Sequence, residues 1–189
     1  ALSANTGDYG AAIQQLRRAQ VLDPKSALLS TFIMANYMQM KDWAGAVAEG
    51  RKALVRFPNE RDIHDNLGKS QVASGDLTGA AETYHSAVAR FPRDSELWAN
   101  YSSVLEMQKD NAAALKAMQQ ASEIDPKNTQ YKTSIVLLTY AIGGPSAALK
   151  TAHALSMKKP PDPDGILLEA EVLARSNRLG DAINLLKKT

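Results

Sequence analysis

The chain of 189 residues contains no cysteine. That absence excludes disulfide frameworks, thiolate zinc sites and cysteine nucleophiles, and it suits a reducing cytosol and a thiol-free envelope protein equally. Aromatic residues are scarce at 6%, so a core must be built largely from Ala and Leu. Charge is nearly balanced: a formal net charge of +2 gives no ground for a nucleic-acid or membrane-surface partner. No uninterrupted apolar run approaches the roughly 20 residues that a membrane-spanning helix needs. The opening Ala1-Leu2-Ser3-Ala4-Asn5 has neither the charged start nor the apolar run of a signal peptide, and a chain that begins on Ala leaves localisation open. Hydrophobic content of 44% and charged content of 22% are those of a folded chain rather than a disordered one.

What is present is a period. The stretches GDYGAAIQQLRRAQVLDP (7–24) and GDLTGAAETYHSAVARFP (75–92) open alike, close alike and lie two periods of 34 residues apart. Prolines stand at 24, 58, 92, 126 and 160, five of the eight in the chain. Alanines occupy 12, 46, 80, 114, 148 and 182, and a second Ala column at 19, 53, 87 and 121 is broken by Leu155. Asp8, Asp42, Asp76 and Asp110 form a third column. Several columns sharing one period define an internal repeat.

Each unit reads as two helices. In SELWANYSSVLEMQ (95–108), Leu97, Trp98, Tyr101, Val104 and Leu105 recur at helical spacing. Asp110 then stands where a side chain can accept backbone N–H groups of a new helix. Ala114, Leu115, Met118 and Ala121 stripe that second helix until Pro126, which cannot continue it and drives Asp125 to an extended conformation. The Ala columns mark close helix crossings, where a methyl lets backbones approach. Helices are therefore expected near 27–40 and 42–56, 61–74 and 76–90, and 95–108 and 110–123. In the unit 129–162, Gly143-Gly144-Pro145 replaces the Gly-Asp turn, with Pro145 suited to a first helical turn. KKPPDPDG (158–165) reads as a stiff, extended link. With Leu155 in an Ala column, helix packing there is expected to differ.

The period, with Gly68, Trp98, Tyr84, the Ala columns and the unit-ending prolines, resembles the tetratricopeptide repeat. That resemblance spans the whole chain: full units at 27–60, 61–94, 95–128 and 129–162, with partial units at 1–26 and 163–189. It implies an all-α, right-handed superhelical solenoid of antiparallel helix pairs forming a single array over 1–189. The last helix shows Leu179, Ile183 and Leu186 without a polar cap, so the chain reads as a piece of a longer array. A narrower resemblance, carried by residues 147–188, is to bacterial repeat lipoproteins of PEP-CTERM protein-sorting and exopolysaccharide systems. It implies a periplasmic or cell-envelope location, with the cytoplasm as the alternative.

Residues able to do chemistry do not assemble. His64 shares the packing column of Trp98, and His85 and His153 share a second-helix column two units apart. No His-Glu-x-x-His, Gly-x-Ser-x-Gly or phosphate-binding glycine loop occurs, and Gly143-Gly144-Pro145 is a turn. The sequon at 100–102 lies within a helix. The Asp column reads as helix caps, and Met38, Met40, Met107 and Met118 lack the His or Cys company of a soft-metal site. The expectation is no enzyme, no metal and no cofactor.

What remains is surface. By resemblance, first helices line the concave face, and helical spacing places the same residues off the buried stripe. The candidate groove comprises Leu28, Thr31, Met38, Asp62, Asp65, Asn66, Lys69, Val72, Glu96, Asn100, Ser103, Glu106, Thr133, Leu137 and Tyr140. Arg17, Arg18, Arg51, Lys52, Arg90, Lys116 and Lys150 fall instead on second helices or links. A receptor for a C-terminal carboxylate needs basic groove residues, and the equivalent positions here are Thr31, Asp65, Ala99 and Thr133. RNA is disfavoured because phosphate contacts need Lys or Arg on that face. The expected function is a non-catalytic scaffold for a peptide or partner protein, with no direct membrane insertion. The alternatives are a structural spacer in a larger assembly and the repeat arm of an enzyme whose catalytic domain lies elsewhere.

Overall fold

The computed structural model describes residues 8–157 and 163–187. Pro160 and most of the expected stiff link at 158–165 lie outside the described residues. Ten helices and no strand occur among them, and the chain divides into two compact units, Ala1–Pro92 and Arg93–Thr189.

The first unit holds α1 (Tyr9–Leu22), α2 (Ala27–Gln39), α3 (Trp43–Arg56), α4 (Arg61–Ser74) and α5 (Leu77–Arg90). Each packs on the next across a short turn, and α2 also touches α4. The second unit holds α6 (Ser95–Met107), α7 (Asn111–Ile124), α8 (Thr129–Ser156), α9 (Pro163–Arg175) and α10 (Leu179–Lys187), again packed in succession. The boundaries of α2–α7 fall within a few residues of those expected from the repeat.

Local chemistry explains the boundaries. Asp8, Asp42, Asp76 and Asp110 each accept the backbone N–H three residues on, from Ala11, Gly45, Gly79 and Ala113, at 2.9–3.0 Å. Each such cap is worth about 1 kcal/mol. Asp94 caps α6 in the same way through the Leu97 N–H, and Asn128 caps α8 through the Gln130 N–H two residues on. At the other end, the residue before each unit-ending proline leaves the helical region: Asp23, Phe57, Phe91 and Asp125 have φ between −121° and −128°. The turn inside a pair needs one left-handed residue. Gly75 supplies it without a Cβ penalty, whereas Lys41, Lys109 and Asn177 adopt positive φ at the equivalent positions.

The Ala columns sit at the crossings. Ala46, Ala80, Ala114 and Ala148 are completely buried, as are Ala87 and Ala121, and Ala53 is nearly so. In the second unit, Leu105, Ala114, Met118, Ala121, Ile135 and Leu138 form one cluster, with Trp98 and Tyr131 packed against it. Val136, Ala148, Ala152, Leu168 and Val172 form another, joined by Leu155. Leu155 is accommodated because its neighbour shrinks. The position that holds Ile63, Leu97 or Tyr131 in earlier units is Gly165 here, and a Cβ on it would meet the backbone of Leu155 and Ser156 at 2.5–2.6 Å.

The unit 129–162 departs from a plain helix–turn–helix. Its two helices merge into α8, broken only at Gly144 (φ 69°, ψ −167°), where Pro145 starts the second arm. As one run, α8 is long and apolar enough to cross a membrane, with mean hydropathy 1.2 over its most apolar window. The break leaves arms of 129–143 and 145–156, neither of which reaches the roughly 20 residues of a span. The first arm also carries Lys132, buried and paired with Asp164 on α9 at 3.3 Å.

Candidate functional site

In the first unit, α2 and α4 present most of the expected groove residues. Leu28, Asp62 and Lys69 are exposed, and Thr31, Met38, Asn66 and Val72 half-buried. Asp65 is the exception. Its side chain is only 6% exposed, with Oδ2 taking hydrogen bonds from Lys69 Nζ at 2.7 Å and Arg61 Nη1 at 3.1 Å. Oδ1 accepts from the buried Tyr84 hydroxyl at 3.3 Å. Asp65 is therefore a buried structural carboxylate, and the expectation that it lies on an exposed binding surface is corrected. A column position cannot show this, since the covering cations sit at i−4 and i+4 of one helix and the hydroxyl comes from another.

In the second unit, Glu96, Ser103 and Glu106 are exposed and Asn100 half-buried along α6. Ser103 and Thr133 turn their hydroxyls back to the carbonyls of Ala99 and Thr129. The structure gathers three expected residues, Thr133, Leu137 and Tyr140, into one cavity of about 290 Å³ between α8 and α9. Its floor is the buried Val136, Leu168 and Val172, while Leu137 and Tyr140 remain half-exposed at its wall. Glu171 and Arg175 close the rim and pair with each other at 2.7 Å. Their charges offset, so the cavity offers apolar contact area framed by a dipole rather than a net charge.

Sequence reasoning missed Val136, Leu168, Glu171, Val172 and Arg175. The signal was available: Leu168 and Glu171 lie one period after Ser134 and Leu137. Continuing the groove into residues 163–189 reaches them.

His64 is buried and holds the Pro58 carbonyl through Nε2 at 2.9 Å, in keeping with its packing role. His153 Nδ1 lies 2.8 Å from Glu169 Oε1, and the Ser156 hydroxyl donates to Glu169 Oε2 at 2.6 Å. The carboxylate stands between hydroxyl and imidazole, so the imidazole cannot take the hydroxyl proton, and the order is wrong for an activated nucleophile. Among the described residues no group of three or more His, Cys, Asp or Glu is placed to hold a metal ion.

The fold and cavity define an all-helical repeat protein of paired antiparallel helices, an architecture suited to protein–protein interaction. Residues 66–129 match the tetratricopeptide repeat family model, which supports that family for the repeat. The chain is similar in fold to the crystal structure of MamA, at 19% identity and TM-score 0.67 over 86% of this chain and 88% of that one. It is similar to YrrB, described as a TPR protein with an unusual peptide-binding site, at 17% identity and TM-score 0.66 over 92% and 89%. A tetratricopeptide repeat protein from Parabacteroides merdae matches at 16% identity and TM-score 0.70 over 97% and 73%. At these identities the likeness is one of fold. Comparison with curated protein sequences finds no match. The PEP-CTERM and exopolysaccharide resemblance is not supported by these findings.

Proposed function

We propose that the chain is a non-catalytic interaction scaffold, a single 34-residue repeat array over 1–189 that holds a segment of a partner protein on its first-helix faces. An apolar side chain of that segment sits in the α8–α9 cavity, against Val136, Leu168 and Val172. The observation that carries this reading is the cavity itself: half-exposed Leu137 and Tyr140 stand beside a buried apolar floor and enclose about 290 Å³. Apolar anchors in such pockets supply most of the affinity of recognised segments. In the same unit, the groove positions Glu96, Asn100, Ser103 and Glu106 lie on α6. With Asp65 withdrawn, the exposed acids Asp62, Glu96 and Glu106 favour a neutral or basic segment and act mainly on association rate.

The test is a photo-crosslinking amino acid placed at Leu137 and, separately, at the exposed second-helix residue His85. A defined adduct from 137 and none from 85 is the expected result. Adducts of equal yield from both, or from 85 alone, would move binding off this face.

A further inference from the structure

The lining of the α8–α9 cavity falls on two matched stripes. On α8 it runs from Thr133 to Tyr140 and on α9 from Leu168 to Arg175, in each case at steps of i, i+3, i+4 and i+7. Each stripe is two helical turns, about 10 Å at 1.5 Å per residue. The two helices run in the same direction. Asp164 at the start of α9 accepts from the Thr129 hydroxyl at 2.7 Å and pairs with Lys132 at 3.3 Å, both in the opening turn of α8. The groove is therefore bounded by two parallel helices over two turns.

Its floor offers no hydrogen bonds. Val136, Leu168 and Val172 are buried and apolar, the Thr133 hydroxyl is spent on the Thr129 carbonyl at 3.0 Å, and helical backbone groups are spent on their own turns. An extended segment laid here would turn N–H and C=O groups toward a floor without partners, which is costly. A helix keeps those groups paired internally and presents side chains alone, and residues at i, i+4 and i+7 span the same two turns. Charge adds a direction. Glu171 and Arg175 are the charged residues of the lining, both on α9, with side chains 49% and 63% exposed and the cation one turn nearer the C-terminus. Across from them stand Leu137 and Tyr140, so charge lies along one edge. Their mutual contact at 2.7 Å uses one guanidinium nitrogen and one carboxylate oxygen, leaving further donors and an acceptor for an incoming pair.

We infer, resting on the scaffold reading of this same cavity, that the partner segment is an amphipathic helix lying antiparallel to α9. Its apolar residues at i, i+4 and i+7 meet the floor, and an acid followed four residues later by a base runs along the α9 edge. The parallel dipoles of α8 and α9 favour an antiparallel third helix. In that orientation the acid comes first and meets Arg175, and the base meets Glu171. Acid before base at i, i+4 is also the better order within the partner helix itself, and it sets the acid toward that helix's N-terminus.

The probes are three acetylated and amidated alanine-based peptides of about 16 residues, long enough to hold a helix. Each carries Leu at i, i+4 and i+7. The first has Glu and, four residues on, Lys beside the leucines; the second exchanges the two; the third is the first with Pro at its centre. Titration into the isotope-labelled 189-residue chain is read from the amides of Thr133, Leu137, Leu168 and Val172. The first peptide should bind about threefold more tightly than the second and about tenfold more tightly than the third. The double variant Glu171→Arg with Arg175→Glu, at exposed positions and with its melting temperature checked, should reverse the order of the first two. A Pro peptide that binds as tightly as the first would overturn the helical occupant. Equal binding of the first two, a preference for the second, or an order that the double variant leaves unreversed would overturn the antiparallel orientation. Silence of those amides up to millimolar peptide would overturn both. The scaffold reading is judged apart, by the adduct at residue 137, which forms with a helical or an extended partner alike.

Discussion

The ring of Tyr84 on α5 occupies the space where a side chain at residue 68 on α4 would stand. A Cβ added to Gly68 would lie 2.5 Å from two carbons of that ring. One unit earlier the sizes are reversed: Gly50 takes the Tyr84 position, Met34 takes the Gly68 position, and a Cβ on Gly50 would meet Met34 Cε at 2.6 Å. The later units carry Ser102 with Met118 and Val136 with Ala152 in the same two columns. The space between paired helices is filled from either side, so neither column alone looks conserved in size while their sum does.

That exchange makes a paired prediction. Gly→Ala within a helix gains about 1 kcal/mol of propensity, and overpacking costs about 1–3 kcal/mol. Gly68→Ala meets a rigid, buried ring and should lower stability. Gly50→Ala meets mainly the flexible end of Met34 and should be close to neutral. Urea unfolding of both variants is the check, and an equal loss in the two would refute the distinction.

Ala80 and Ala114 are completely buried at helix crossings. Ala80→Leu and Ala114→Leu should each destabilise by about 1–3 kcal/mol through overpacking. Thermal unfolding reads this directly, and an unchanged midpoint would mean these crossings can open at no cost.

Lys41 and Lys109 hold φ of 56° and 68° at the turn position where Gly75 has 84°. A side chain in this region costs about 1–2 kcal/mol, of which Gly gives back part as chain entropy. Lys109→Gly should therefore stabilise by about 0.5–1 kcal/mol, and Gly75→Lys should destabilise by about as much. A loss of stability in Lys109→Gly would show that the lysine makes contacts that outweigh its strain.

Asp164 accepts a hydrogen bond from the Thr129 hydroxyl at 2.7 Å and pairs with the buried Lys132 at 3.3 Å. The Thr129 hydrogen bond first, and Lys132 after it, hold its carboxyl below the usual range. A lowered folded pKa means the ionised form is favoured in the fold. Its stabilisation is therefore present above the ordinary carboxylate range and lost as pH falls through the folded value. Asp164→Asn should be less stable than the parent at neutral pH, with Lys132 deprived of its carboxylate, and the gap should close in acid. A gap independent of pH between neutrality and acid would assign the effect to packing instead.

Most of the fold is legible in the sequence because its causes are local and periodic. The Asp caps, the pre-proline helix ends and the buried Ala columns each depend on a residue's own position in the 34-residue frame. The missed features depend on what faces that position. Gly165 answers Leu155 from the next helix, and the rim pair Glu171–Arg175 forms beside α8 from α9. The break in α8 is legible too: the expected Gly143-Gly144-Pro145 turn is where Gly144 leaves helical geometry and Pro145 starts the second arm.

Asp62 and Asp65 show the same limit most sharply, and they set the last prediction. Both are acids on α4, three residues apart, yet the Asp62 side chain is 68% exposed and that of Asp65 6%. Asp62 has only a surface contact with Arg61 at 3.4 Å, an arrangement worth at most about 1 kcal/mol. Asp65 stands between Arg61, Lys69 and the Tyr84 hydroxyl, and removing its side chain takes the carboxylate acceptor at 3.3 Å from that buried hydroxyl, which keeps the residue-65 carbonyl at 3.4 Å, and takes from two cations their shared carboxylate. Asp65→Ala should cost about 1–3 kcal/mol, whereas Asp62→Ala should stay within about 0.5 kcal/mol of the parent. Asp62→Lys is then the variant that probes charge preference on this face without disturbing the core. Chemical denaturation of the single variants decides the matter. Equal losses at 62 and 65 would place both acids in the same environment and return Asp65 to the exposed face.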